Sequence, residues 1–476
     1  YIEQARIDWG VPGLAVAIVK DGKVWISQGF GVQKEGSSTR VDENTLFAIA
    51  SNTKAFISSA LAVLVDEGKV LWDDPVIKYL PYFKLYDPYV TQSTTIADLL
   101  CHRAGLGTYS GDVIWYKSEL SEREVIERIR YVPQAYPFRA GYGYSNLMFI
   151  TAGEVIRAVT GQAWDEFVAD RFFVPLGMNR TVTSTTRLPS SNVATPHKPV
   201  DDANQPIAWT QWDNMGAAGG IISSVRDMSQ WLQMNLSSGL WEGDTLLDPK
   251  QQNVLWTPHN SFVISATSHE RFPGRNFNGY GLGWGLYDYH GRKVATHSGG
   301  YDGMYSRVAM VPEEQLGIVI LTNSMSGVTL PLTLWIMNQF LKADLRDWSK
   351  ERLESNSSGG ESRISVLKRA KVEGTMPSAE LSSYEGSYDA PMHGDIKVIQ
   401  DGNDLQLTFS KAPLLSATLR HWHHDTWEIV WDETHAWFDF GLITFQLDNQ
   451  RQVRGLEFEV PNYDIFFDEL EVVKKE

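Results

Sequence analysis

Ser51-Asn52-Thr53-Lys54 sets a hydroxyl at the start of an apolar helical run and an amine one turn later on the same face. A neutral Lys54 can accept the Ser51 proton, and a helix N-terminus favours the oxyanion that develops during acyl transfer. Spacing alone does not decide the matter, because Ser365-Val366-Leu367-Lys368 repeats the pattern. That copy lies in a charged stretch with no apolar helical run behind it. Ser51 instead follows Phe47-Ala48-Ile49-Ala50 and precedes an amphipathic helix expected from Thr53 to Gly68. A helix-capping serine beside an exposed lysine is the plain alternative.

Tyr144-Ser145-Asn146 is the only Tyr-x-Asn in the chain, and an extended segment would point its two outer side chains the same way. A phenol beside an ammonium can relay protons near neutral pH, so Tyr144 is a candidate general base. Asn146 can orient Lys54 and a substrate amide. His297-Ser298-Gly299-Gly300 closes an expected strand, and its small residues let a substrate backbone approach an edge. The Gly300 N–H, paired with that of Ser51, would form a two-donor oxyanion hole. Taken singly, a buried tyrosine capping a helix and a glycine-rich turn explain the two motifs as well.

The elements that must hold these residues can be read from the patterning. Residues 12–30 alternate around Asp21-Gly22 and predict a hairpin. Helices follow over Thr53–Gly68, from Ser121 to Arg130, and over Leu147–Thr160, which stops at Gly161. Strand signals return near residue 280, with strands expected at 282–289, 293–297, 304–311 and 316–321 and a helix from Leu330 to Lys342. The fold expected is α+β: one antiparallel sheet joining the first and late strands, flanked by the terminal helices, with an all-helical lobe from the middle of the chain. Residues 346–377 turn charged and Ser/Gly-rich, as in Asn356-Ser-Ser-Gly-Gly-Glu, and read as a connector. Hairpins at 395–409 and 436–460 then suggest a small antiparallel β-barrel over 378–476.

Of the formal charge of −16, the barrel segment carries 19 acidic against 7 basic side chains. It would repel nucleic acid, and no Lys/Arg cluster elsewhere offers counter-ion release, so nucleic-acid binding is excluded. The single cysteine, Cys101, rules out an internal disulfide and a thiolate metal cluster. His421-Trp422-His423-His424-Asp425 offers imidazoles and a carboxylate, but strand alternation puts only His421 and His423 on one face. No metal or other cofactor is expected. No apolar run is long enough to span a bilayer, and the chain starts at Tyr1 without a basic and apolar leader.

Together, Ser51-x-x-Lys54, Tyr144-x-Asn146 and His297-Ser298-Gly299, in this order, resemble the penicillin-binding proteins and class C β-lactamases, with the esterases and D-amino-acid-acting peptidases on that scaffold. Val11-Pro-Gly-Leu, Asp73-Asp74-Pro75, Leu99-Leu-Cys-His-Arg-Ala-Gly-Leu and Ala218-Gly-Gly-Ile-Ile-Ser-Ser extend the resemblance over residues 1–345. It implies a β-lactamase-like serine hydrolase in which Ser51 forms the acyl-enzyme, Lys54 and Tyr144 move protons, and Asn146, His297, Ser298 and Gly299 bind substrate.

The β-lactamases carry lysine where His297 stands. A neutral imidazole lacks the charge that holds a β-lactam carboxylate, which implies weak β-lactamase activity and favours the peptidase branch. Amide bonds of peptides, D-amino-acid-containing ones included, are thus the expected substrate. A carboxylesterase on the same site and a non-catalytic sensor of peptidoglycan or β-lactams are the alternatives. The C-terminal segment resembles the lipocalin-like barrel appended to some of these peptidases. An extracytoplasmic location is favoured, and a homo-oligomer is left open.

Overall fold

Asp21 and Gly22 both take left-handed backbone, φ 52° and 72°, as a two-residue hairpin turn requires. Helix α1 (Ile2–Asp8) precedes strands β1 (Gly13–Lys20) and β2 (Lys23–Gly31), which pair around this turn with Leu14 opposite Phe30. These elements belong to a computed structural model that describes all residues except 201, 202, 273, 344, 345 and 357–360. By compactness the chain divides into two units. One comprises Tyr1–Pro81, Gln92–Ala104 and Met148–Ser358; the other comprises Tyr82–Thr91, Gly105–Leu147 and Gly359–Glu476.

The first unit contains an eight-stranded antiparallel sheet. Its later strands are β3 (Asn260–Ser261), β4 (Asn278–Tyr280), β5 (Gly285–Tyr289), β6 (Arg292–Tyr301), β7 (Met304–Val311) and β8 (Leu316–Thr322), and its order is β2-β1-β8-β7-β6-β5-β4-β3. The N-terminal hairpin therefore joins the late strands through β1 and β8, with Leu14 opposite Thr322, as the alternation anticipated. All seven residues of β8 are buried, which marks a strand covered on both faces. Ile18, Ile318, Ile320, Leu332 and Ile336 share one core, formed as helix α5 (Thr329–Leu341) packs on the sheet. Helix α4 (Val225–Leu236) packs on β1 and β8 as well.

Two expectations shift. Strand β6 runs to Tyr301 instead of stopping at 297, because its ladder with β7 continues through both glycines to Tyr301 opposite Met304. The strand expected from 282 starts at Gly285, since Gly283 turns the chain with φ 78°. Helix α2 (Thr53–Asp66) and helix α3 (Asn146–Thr160) form where periodicity placed them.

In the second unit, eight strands close a barrel: β9 (Gly386–Asp389), β10 (Ile396–Asp401), β11 (Asp404–Phe409), β12 (Ala412–His423), β13 (Thr426–Trp431), β14 (Gly441–Leu447), β15 (Val453–Glu459) and β16 (Val472–Lys474). Closure comes from β9 against β16, with Tyr388 opposite Lys474, and leaves no exposed sheet edge. Leu405, Leu407, Leu419, Trp427, Phe445 and Phe467 fill the interior. Segment 105–147 of the same unit touches the barrel: Glu119 N–H donates to Lys411 O at 2.7 Å, Lys117 Nζ lies 2.9 Å from His435 Nδ1, and the Tyr116 and Phe438 rings meet edge-on at 6.0 Å.

The connector is more ordered than its composition suggested. Helices form at Trp348–Asn356 and Arg363–Arg369, and the Ser/Gly run between them at 357–360 lies outside the described residues. The second helix is capped by Ser362 and lays Ile364 and Leu367 on Trp422, Phe440 and Leu442. Two apolar side chains make too short a stripe to show as periodicity. In the histidine-rich stretch a bulge between His421 and His423 breaks the expected alternation. His423 Nδ1 accepts from Val372 N–H, and Asp425 accepts from Ser378 and Tyr384, so these residues tie the connector to the barrel.

Candidate active site

Ser51 sits in a single 3₁₀ turn, Ala50–Asn52, between the short strand Phe47–Ala48 and helix α2. Ala50 has φ 47°, a left-handed conformation that costs a non-glycine residue about 1–2 kcal/mol and persists only where neighbours over-determine it. They do so here. Ile49 N–H donates to Ile221 O at 3.0 Å, and Ile49 O accepts from Ser306 Oγ at 2.7 Å and Asn52 Nδ2 at 3.2 Å. Asn52 Nδ2 also donates to Ser306 Oγ at 2.9 Å, which closes a three-residue network around the turn.

Ser51 is partly exposed, while the Lys54 side chain one turn on is fully buried. Lys54 Nζ lies 3.0 Å from Ser51 Oγ, donates to Ala218 O at 2.8 Å and sits 5.3 Å from the centre of the Phe149 ring. Direct transfer of the hydroxyl proton to a neutral amine fits this geometry. By contrast Ser365 lies on the Arg363–Arg369 helix, hydrogen-bonded to Ser362. No residue of that helix is buried, Ser365 and Lys368 included.

Strand β6 approaches the Ser51 turn through Gly299. A Cβ there would lie 2.3 Å from Ile49 O and 2.5 Å from Ser306 Oγ, so only glycine permits the contact. The ladder from β6 to β5 ends at Gly285 opposite Thr296. Over Ser298–Tyr301 the strand has a strand neighbour on one side only, among the described residues. Ser298 is exposed there and Gly300 half-buried.

His297 is turned inward. Its Nδ1 lies 2.6 Å from Ser298 O and its Nε2 2.8 Å from the Tyr280 hydroxyl. A carbonyl oxygen only accepts, so Nδ1 carries the hydrogen and Nε2 accepts from Tyr280. Burial above all pushes the imidazole down to about 3 and holds it neutral, with a smaller push from Lys54 when that amine is protonated. His102, fully buried with its ring 4.8 Å from that of Tyr280, is driven well below the usual range, first by burial and then by Lys54. Both ring nitrogens of His297 thus have partners inside the protein.

Tyr144 and Asn146 belong to the second unit. Tyr144 N–H donates to Thr108 Oγ1 at 3.2 Å, its carbonyl accepts from Tyr109 N–H at 2.8 Å, and the Tyr109 and Tyr144 rings meet edge-on at 5.5 Å. Asn146 Nδ2 donates to Asp112 Oδ2 at 2.6 Å. Gly143 is obligatory because a Cβ would fall 1.7 Å from Leu106 O.

Sequence reasoning missed Ala218, Tyr280, Ser306, His102 and Asp112. Ala218 and His102 stood in stretches singled out for other reasons, and Ala218 acts through a main-chain carbonyl that its residue type does not betray. The other three are ordinary polar residues whose partners lie far along the chain.

Residues 1–336 match the Beta-lactamase family. The chain belongs to that family. Residues 370–474 match a domain of unknown function, DUF3471. An unguisins hydrolase of Aspergillus violaceofuscus is 30% identical over 337 residues, or 66% of this chain and 59% of that protein, so the match spans about three fifths of that relative. Among solved structures, the octameric penicillin-binding protein homologue of Pyrococcus abyssi matches 99% of this chain and 98% of its own at TM-score 0.62 and 20% identity. The D-amino acid amidase of Ochrobactrum anthropi SV3 matches 75% and 97% at TM-score 0.57 and 25% identity. The family match covers most of the chain, and the solved neighbours share its fold. No helix among the described residues is long and apolar enough to cross a membrane.

Proposed function

We propose that the chain hydrolyses amide bonds of peptides, D-amino-acid-containing ones included, through an acyl-enzyme on Ser51. The observation that carries this reading is the buried Lys54 amine 3.0 Å from a partly exposed Ser51 Oγ. Ser51 Oγ attacks the substrate carbonyl and its proton passes to the neutral Lys54 amine. The main-chain N–H groups of Ser51 and Gly300 hold the oxyanion, a role for which the one-sided pairing of Ser298–Tyr301 speaks. Collapse of the tetrahedral intermediate breaks the C–N bond, and the amine leaves with a proton returned through Lys54 and Tyr144. Water then attacks the ester by the same route in reverse and releases the acid.

The roles of Tyr144 in proton transfer and of Asn146, His297, Ser298 and Gly299 in substrate binding are assigned on the family pattern. The inward-turned, neutral His297 supports substrates other than those held by a carboxylate. D-amino acids enter the reading because the Ochrobactrum neighbour is a D-amino acid amidase. The catalytic domain is assigned to residues 1–345, the connector to 346–377 and the barrel to 378–476.

The test is labelling of wild type and Ser51→Ala by a fluorophosphonate, followed by turnover of matched L- and D-amino-acid amides, short peptides and a p-nitrophenyl ester. Labelling confined to wild type with faster amide than ester turnover supports the reading. Labelling that survives in Ser51→Ala overturns it.

A further inference from the structure

The last turn of the barrel domain, the 3₁₀ segment Phe467–Glu469, reaches the loop that precedes Asp112. Glu469 Oε1 accepts from Ser110 Oγ at 2.5 Å and Oε2 accepts from Gly111 N–H at 2.6 Å, so both carboxylate oxygens hold consecutive residues. The residues on either side of that pair hold the Tyr144-Ser145-Asn146 segment. Tyr109 N–H binds Tyr144 O, and Asp112 Oδ2 takes the Asn146 amide.

The strap cannot easily be set by its own conformation. Tyr109 has φ 61°, a left-handed value for a non-glycine residue, and Gly111 has φ 79°. A Cβ on Gly111 would come within 2.7 Å of Leu147 and Val132. Such backbone persists where contacts hold it from outside. Glu469 supplies those contacts at the centre of the strap. Its burial raises the carboxyl, and the bonds from Ser110 and Gly111 oppose that rise, which makes the pairing local and specific.

We infer that Glu469, from the C-terminal barrel, is a positioning residue: it fixes the strap Tyr109–Asp112 and through it the orientation of Tyr144 and Asn146. The barrel is thereby a working part of the catalytic apparatus and not an appended module. This inference rests on the assignment of Tyr144 and Asn146 proposed above.

The experiment compares the full chain with Glu469→Ala and Glu469→Gln. Glutamine keeps both contacts, because its oxygen accepts from Gly111 N–H and its amide donates to the Ser110 hydroxyl. For Glu469→Ala, kcat is expected to fall about tenfold or more with KM nearly unchanged, the pattern of a displaced reacting group. Glu469→Gln should recover most of kcat. Hydrogen exchange in Glu469→Ala should quicken at residues 109–112 and 144–146 while the barrel strands keep wild-type protection.

Unchanged exchange in both segments overturns the clamp whatever the activity. Faster exchange with wild-type kcat overturns its catalytic importance, as does a kcat loss that merely tracks general loss of barrel protection. Ser51→Ala run in parallel keeps the two ideas apart. Activity in that variant defeats the nucleophile assignment, while the exchange data still decide the clamp.

Discussion

Lys54 is fully buried, and its hydrogen bonds include one to Ser51 Oγ and one to the main-chain carbonyl of Ala218. Ser51→Ala is therefore expected to abolish turnover and Ser365→Ala to leave it unchanged, measured as kcat on one amide substrate; equal losses would undo the choice between the two motifs. Lys54→Ala and Tyr144→Phe should each lower kcat by about a hundredfold or more, as for loss of a base that activates a nucleophile. The double variant should lose little beyond the worse single one, and multiplication of the two losses would show that the residues act independently. At this scale the sequence could single out Ser51, Lys54, Tyr144 and Asn146 as candidates because the chemistry proposed for them is in their side chains. It hid Ala218, which contributes a carbonyl, and it hid the inward hydrogen bonds of His297, which depend on Tyr280 in a different strand.

Among the elements, β6 owes its approach to the Ser51 turn to a side chain that is missing at Gly299. Gly299→Ala would drive a Cβ into Ile49 O, so the strand or the Ser51 turn must shift. It should lower both thermal stability and kcat, the former by about 1–3 kcal/mol as for overpacking. Gly291→Ala is the control: its turn has φ 74° with nothing within 4 Å of the new Cβ, so about 1 kcal/mol of backbone strain is expected with kcat unchanged. Denaturant unfolding and steady-state kinetics on both variants check the contrast, and a Gly299→Ala enzyme of wild-type kcat would remove the strand from the site. Strand positions were readable because alternation and turn residues such as Asp21-Gly22 are local. The end of β6 was not, because the Gly299-Gly300 pair looks like a turn until its partner β7 is known. The Trp348–Asn356 helix was hidden for another reason: its charged residues carry no apolar stripe, although Trp348 stacks on Phe272 at 5.5 Å.

For the whole molecule, buried neutral histidines set how stability changes with pH. His297, pushed down to about 3, and His393, pushed down to about 4 by burial and Arg128, stay neutral in the fold but bind protons when unfolded. The unfolded state thus gains protons first as pH falls through about 6.5, and each such histidine removes stability at up to about 1.4 kcal/mol per pH unit. Asp464, raised by burial to about 6, acts oppositely below that pH, since the folded state then binds the extra proton. Between pH 7.5 and 6 the two histidines outweigh the partial protonation of Asp464, so the denaturant midpoint should fall, and fall less in His297→Gln; a flat midpoint would show that these rings are not held neutral. The pairing of β1 with β8 has a consequence for biosynthesis. Leu14 meets Thr322, so a chain emerging from the ribosome at about 5–20 residues per second waits roughly 15–60 s before its first strand finds its inner neighbour. During that interval the apolar Gly13–Lys20 strand has only β2 beside it and offers its other edge to any chain nearby. Newly made copies on one messenger are therefore the most exposed to mispairing, and a holdase that binds this strand early would raise the yield of folded protein more than one that acts after release.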